Sequence, residues 1–199
     1  METTLVSPPK KPSTETRGLL KRAVVQKFAI SYEDYEDFET EDGFKYEWKN
    51  GYAIKNGEKM KNTEMMIVKN IFRSFTKTEV YSSGSELFSE IRCQLSETIV
   101  RIPDIALYSR EQVLGSAAGE NHIPSFVIEV VSKNENLIEA ETKIDEYFEA
   151  GVKVIWQVFP LLKQIWVFSS GNKVTICKDN DFCEAINGFG ITVNEVFAV

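Results

Sequence analysis

The sequence predicts an α/β (α+β) domain built on a central mixed β-sheet flanked by helices, and three observations carry that prediction. Strand-like runs rich in β-branched and aromatic residues recur through the second half: SELFSEIRCQL, ETIVRIPDIALY and PSFVIEVV, then VKVIWQVF, KQIWVFSS and NKVTICK. Two stretches with one-sided apolar stripes, one before the first strand group and one between the groups, have helical periodicity. Helices that alternate with strand runs in this way come to lie on the faces of a sheet. The chain has 199 residues and 43% hydrophobic composition, enough for one sizeable core rather than two.

Taken in order, residues 1–18 are rich in Pro, Ser, Thr and Lys, bury little, and are expected to form a flexible N-terminal tail, which leaves 19–199 as a single domain. Tyr32, Tyr35 and Phe38 at spacing three predict a short acidic helix with an aromatic edge. FKYEW and YAIK flank Lys49-Asn50-Gly51, and Asn-Gly between two such runs is a hairpin signal. Asn62 or Thr63 caps a helix reaching about Thr78, with Met65, Ile67, Val68, Ile71, Phe72 and Phe75 on its apolar face. Three strands follow, the second and third separated by a Gly/Ala-rich loop from Gly115 to Gly119. The next helix starts from a capping box of Ser132 and Glu135, or from Asn134 or Asn136, and ends at Gly151, where a left-handed residue is expected. Three more strands and the short closing turn and helix of NGFGITVNEVF complete one mixed sheet.

Charge and cysteine content narrow the function. A net charge of -7 argues against coating nucleic acid by charge alone but leaves a local or metal-bridged phosphate contact open. Between Ser31 and Asp42 there are seven acids and no base, while residues 1–30 carry six bases against Glu2 and Glu15; a solvated helix face after a basic tail accounts for both. Cys93, Cys177 and Cys183 form no CxxC pair and signal neither zinc nor a disulfide framework. The absence of a long apolar run or secretory signal completes the expectation of a cytoplasmic protein with no membrane partner.

Two carboxylates stand where strands should be apolar: Asp104, after Pro103 in IVRIPDIALY, and Glu129, in the middle of FVIEVV. Alternation puts Asp104 on the face of Val100, Ile102 and Ala106, and Glu129 on the face of Val127 and Val131. An ionised carboxylate there is costly unless compensated. One compensation is structural, with Asp104 capping a strand end and Glu129 paired to Arg101, Arg92 or Lys143. If the strands are neighbours, however, the two acids repel unless a divalent cation stands between them, and oxygen ligands of this kind suit Mg²⁺ or Mn²⁺. Lys143, about 100° from Ile144 around the following helix, falls at the border of its buried face and can reach the sheet end. Its structural alternative is a surface pair with Glu139. His122 is the only histidine and reads as a loop residue, there is no Walker or Rossmann glycine pattern, and Trp156, Trp166, Phe159 and Phe168 lie on strand patterns as core.

An acid after proline on one strand, an acid on the next and a lysine close behind resemble the PD-(D/E)XK nuclease superfamily. More closely, the chain is similar to a bacterial restriction-endonuclease-like family of unknown biological role. The resemblance runs from about Tyr32 to Phe197 through YEWKNG, the helix opening at Glu64, RIPDIALY, FVIEVVSK, KIDEYFEAGVKVIWQVFP and NGFGITVNEVF. Val131 stands where the superfamily pattern has its strand lysine; the resemblance implies that Lys143 replaces it from the helix, with Lys133 the nearer alternative. Glu64 takes the place where this branch often has a histidine. Glu47, in the Tyr-Glu-x-x-x-Gly segment, is a further acidic ligand or a solvated hairpin glutamate on the Lys45/Lys49 side.

The resemblance implies a Mg²⁺- (or Mn²⁺-) dependent endonuclease that hydrolyses DNA phosphodiester bonds. Asp104, Glu129 and the carbonyl of Val130 would hold the metal, Lys143 would act on the attacking water, and a homodimer would cut both strands. The competing expectation is a nuclease-fold binding or regulatory module without catalysis.

Overall fold

The computed structural model describes residues 26–40, 42–56, 62–133, 137–186 and 188–199. The expected tail, the Ser132/Glu135 box and the Asn134 and Asn136 caps rest wholly or partly on residues outside these ranges.

Pro103 divides what the sequence presents as one strand. Strand β6 (Ile99–Arg101) stops before it and β7 (Ile105–Tyr108) begins after it, because proline has no N–H to give a ladder. The two halves belong to different sheets. SELFSEIRCQL is cut in the same way, into β4 (Glu86–Ser89) and β5 (Cys93–Ser96), with Glu90 between them in the left-handed region at φ 54°. Both chains switch sheets at one level, where the Glu90 N–H donates to the Asp104 carbonyl at 3.3 Å. The expected single sheet is therefore two sheets and a ribbon.

The first sheet is antiparallel throughout, in the order β1 (Lys27–Ala29), β3 (Tyr52–Asn56), β2 (Lys45–Lys49), β6, β5. Its β2–β3 hairpin turns at Asn50 and Gly51, φ 51° and 81°, the double left-handed geometry that Asn-Gly favours. The second sheet runs β11 (Lys173–Lys178), β10 (Gln164–Ser170), β9 (Val154–Phe159), β8 (Phe126–Val130), β7, β4. Only β8 and β9 are parallel, since α5 (Leu137–Ala150) crosses between them and ends before Gly151 at φ 110°.

The remaining helices are α1 (Tyr32–Glu36), α2 (Asn62–Phe75), α3 (Glu79–Ser82), α4 (Arg110–Ala117) and α6 (Val193–Val196). Helix α4 corrects the expected Gly115–Gly119 loop. It buries no residue, so it has no apolar stripe to betray it, and a reciprocal capping box of Ser109 and Gln112 starts it.

Strands β7, β8 and β9 are covered on both faces. Ile105, Leu107, Phe126, Ile128, Trp156 and Val158 pack with Ile67, Ile71 and Phe75 of α2 and with Val193 and Val196 of α6. Ala106, Tyr108, Val127 and Ile155 pack on the other side under Ile144 and Tyr147 of α5, with Cys93 and Leu95 from the first sheet. Alternation then puts Asp104 and Glu129 on the α5 side.

The ribbon of β12 (Phe182–Glu184) and β13 (Gly190–Thr192) closes the domain beside α6. A Cβ at Gly190 would lie 2.6 Å from the Cys183 carbonyl oxygen, which the ribbon cannot move aside. Gly190→Ala is expected to cost about 1–3 kcal/mol, measured as a lower urea midpoint; an unchanged midpoint would mean that the ribbon bends freely.

Candidate functional site at the junction of the sheets

The backbone break at Pro103 leaves polar groups that strands would otherwise satisfy, and the site's carboxylates satisfy them. The β7–β8 ladder ends at Ile105 opposite Ile128, and beyond it the Val130 N–H donates to Oδ2 of Asp104 at 2.6 Å. The Ile102 N–H, past the end of β6, donates to Oε1 of Glu47 at 3.1 Å. Both acids thus stitch the junction as well as carrying charge.

Glu47 is not solvated, as one of the two sequence readings had it. It is 2% exposed, with Arg101 Nη1 donating to its Oε2 at 2.7 Å and Lys143 Nζ 3.2 Å from its Oε1. Burial alone would raise its pKa, but Lys143 and Arg101 outweigh burial and hold the carboxyl below its ordinary range.

Glu129 accepts a hydrogen bond from the Tyr147 hydroxyl at 2.7 Å, and Lys143 Nζ lies 3.9 Å from it. Of the three cations considered as its partner, Lys143 is the one that approaches it: Arg101 turns to Glu47, and Arg92 donates to the carbonyls of Glu36 and Phe38. Burial pushes its pKa up to about 7, Lys143 pulls it down, and the charges of Asp104 and Glu47 add to the rise. The Tyr147 hydroxyl is itself raised well above its ordinary value by burial and by the charges of Glu129 and Glu47, which keeps it a donor.

Lys143 departs from its expected border position. It is 3% exposed, because the buried arc of α5 is centred near Tyr147, on the Lys143 side of Ile144. Lys133 is exposed in the turn after β8. Glu64 sits half-buried in the first turn of α2, which covers the face of β7, β8 and β9 opposite α5. His122 is a loop residue 3.1 Å from Glu120.

Two residues here take roles that the sequence did not assign, Arg101 having been named only as a candidate partner of Glu129. Lys45, two before Glu47 on the same face of β2, places Nζ 2.5 Å from Oδ1 of Asp104. Burial works against its charge, but Asp104 and Glu129 more than offset that and raise its pKa. Arg101 is 1% exposed and binds Glu47, Glu139 Oε1 at 3.0 Å and Glu146 Oε2 at 2.7 Å; Lys49 reaches Glu146 Oε1 at 2.6 Å. The alternation of Lys45, Glu47 and Lys49 along β2 was the available signal for the first.

Among the described residues six carboxylates (Glu47, Glu90, Asp104, Glu129, Glu139, Glu146) thus meet four cations (Lys45, Lys49, Arg101, Lys143), so negative charge is in excess. At Glu129 burial raises the pKa first, and the neighbouring charges of Asp104 and Glu47 add to it. A divalent cation beside Glu129 and Asp104 would supply what is missing, and an all-oxygen donor set suits Mg²⁺ or Mn²⁺. Among the described residues no three His, Cys, Asp or Glu side chains form a metal cage. Mg²⁺ needs only one or two carboxylates, with water and substrate phosphate completing the shell. Glu47, already held by Arg101, Ile102 and Lys143, acts from behind.

No helix among the described residues is long and apolar enough to cross a membrane. The comparison with curated proteins found no match. Among solved structures the chain is similar to "a putative nuclease belonging to DUF820" from Anabaena variabilis, with a TM-score of 0.71 and 14% identity over 85% of this chain and 98% of that one. At that identity the likeness shows the fold, a mixed α+β nuclease fold. Residues 32–194 match the model of Uma2, described as "Putative restriction endonuclease". That span contains both halves of the Pro103 junction, β8 and all of α5, and the chain belongs to the Uma2 family.

Proposed function

We propose that this protein is a Mg²⁺- or Mn²⁺-dependent endonuclease that hydrolyses DNA phosphodiester bonds at the sheet junction, working in the cytoplasm. The observation that carries the reading is the convergence of Asp104 and Glu129 on one face of the sheet, with Lys143 beside Glu129 and negative charge in excess around them. A metal held by Asp104, Glu129 and the Val130 carbonyl would supply a water of lowered pKa and offset phosphate charge. The chain's own residues prepare that place. Val130 N–H fixes one Asp104 oxygen and Tyr147 fixes one Glu129 oxygen. Lys143, held by Glu47, orients the attacking water and stabilises the charge that develops on the phosphorus oxygens. Arg101 fixes Glu47 in turn. Glu64 enters only as an additional acid to be tested by substitution. Cutting both strands with one such site per chain calls for a two-fold dimer, whose mass light scattering would report.

The reading of a binding module without catalysis is favoured by one feature: Lys45 already lies on Asp104 as a metal would. One experiment separates the two. Calorimetric titration with Mn²⁺ is expected to show binding that Asp104→Asn and Glu129→Gln remove, and both variants should lose more than about 100-fold in cleavage while staying folded. Wild-type protein that cuts neither DNA nor RNA, and binds no metal that these substitutions affect, would remove the enzyme reading.

A further inference from the structure

Two lysines face the acids, and they differ in what else they can reach. Lys143 is enclosed between Glu47 and Glu129. Lys45 keeps 21% of its side chain exposed even though its ammonium touches Asp104. On its open side lies a groove of about 370 Å³. Phe38, Tyr46 and Ile102 are among its lining residues with Arg92, and Glu39 and Glu90 add two acids. The Arg92 guanidinium is fixed by the Glu36 and Phe38 carbonyls and lies 4.8 Å from the Tyr35 ring centre, so the groove holds a second anchored cation.

A cavity with a lysine at its inner end, aromatic walls and one further cation has the chemistry of a nucleotide subsite. The ammonium meets a phosphate as a point charge, and rings accept a base face without reading its sequence. The acids Glu39 and Glu90 make the groove unsuited to a continuous polyanionic backbone, and Glu90 Oε1 is 3.8 Å from Lys45 Nζ.

We propose that Lys45 is the residue that grips the substrate phosphate, and that the groove beside it takes the attached nucleoside with its base against Phe38. The inference rests on the reading that Asp104 stands at the reacting centre. The ammonium moves from Asp104 Oδ1 to a non-bridging phosphate oxygen, and by leaving Asp104 it frees that oxygen for other use. Lys45 is then a catalytic residue in the strict sense, one that touches substrate, and it grips the phosphate from the groove while Lys143 serves the attacking water from the enclosed side.

The test is binding of fluorescent pentathymidylate in Ca²⁺, beside the same strand carrying one uncharged methylphosphonate linkage. Lys45→Ala is expected to weaken binding about tenfold or more and Lys45→Arg much less. The methylphosphonate should weaken binding to wild type but make no further difference to Lys45→Ala, a non-additivity that general loss of structure does not produce. Phe38→Ala should cost about fivefold or more. No binding by wild type, or a Lys45→Ala effect that adds fully to the methylphosphonate effect, overturns the proposal. Lys45-dependent binding without cleavage in Mg²⁺ or Mn²⁺ would sink the endonuclease reading and leave this subsite standing; cleavage with Lys45-independent binding would do the reverse.

Discussion

Arg101→Ala is expected to lower folding stability by about 3–5 kcal/mol, the range for removing one partner from a buried ion pair. The guanidinium is almost wholly enclosed and serves three carboxylates from one fork, of which Glu47 and Glu146 are themselves buried. Its loss leaves Lys143 alone on Glu47 and Lys49 alone on Glu146. Glu47 also holds the Ile102 N–H, so the damage falls on the break where the two sheets part. Arg101→Lys should recover only part of the loss, since an ammonium cannot reproduce a fork of fixed geometry. Glu139→Ala is the internal control: that carboxylate is 45% exposed, and its removal should cost less than about 1 kcal/mol. Urea unfolding followed through Trp48, Trp156 and Trp166 measures all three. An Arg101→Ala protein within about 1 kcal/mol of wild type would show that the network contributes nothing net. The cost should shrink in acid, because the depressed pKa of Glu47 stabilises the fold above its unfolded value of 4.5 and that contribution is lost as pH falls through the folded one.

How far this network could be read in advance depends on the range of the interactions that make it. The Asn50-Gly51 hairpin, the helix end at Gly151 and the doubly apolar β8 were legible because neighbouring residues decide them. Pro103 signalled a break, but that the break sends β6 and β7 into different sheets depends on β2 pairing with β6, some fifty residues away in the chain. For the same reason the face shared by Lys45, Glu47 and Lys49 was readable from alternation, while its burial was not. Only the arrival of α5 and Arg101 on that face excludes water from Glu47. Lys143 falls at a border when the inner face is centred on Ile144, but Tyr147 is fully buried and moves that centre toward Lys143. Asp104 and Glu129 stood out as acids in apolar runs. Their local duties, accepting from Val130 and Tyr147, needed the tertiary structure.

Glu129 makes the metal-free protein lose stability as pH rises, and Glu129→Gln is expected to abolish that loss. Its folded pKa, about 7, lies above the ordinary 4.5. Between those values the folded state binds a proton that the unfolded state has released, so the unfolding free energy falls with increasing pH by about 1.4 kcal/mol per unit. The stabilisation is complete below the unfolded pKa and gone once pH has risen through the folded one, a change on the order of 3 kcal/mol between pH 4.5 and 8. Glutamine keeps an acceptor for Tyr147 and has no charge to bury, so Glu129→Gln should unfold with little slope over this range and be the more stable protein at pH 8 in a chelating buffer. Wild type should then regain stability at pH 8 on addition of Mn²⁺ or Mg²⁺, since an ion that binds only the folded state shifts the equilibrium toward it, whereas Glu129→Gln should gain little. Thermal unfolding of the two proteins at pH 5 and pH 8, with and without the ion, gives four comparisons from one measurement. A flat wild-type profile would mean that Lys143 fully compensates Glu129 and that no cation is lacking. Equal stabilisation of both proteins by the ion would place its binding elsewhere than at Glu129.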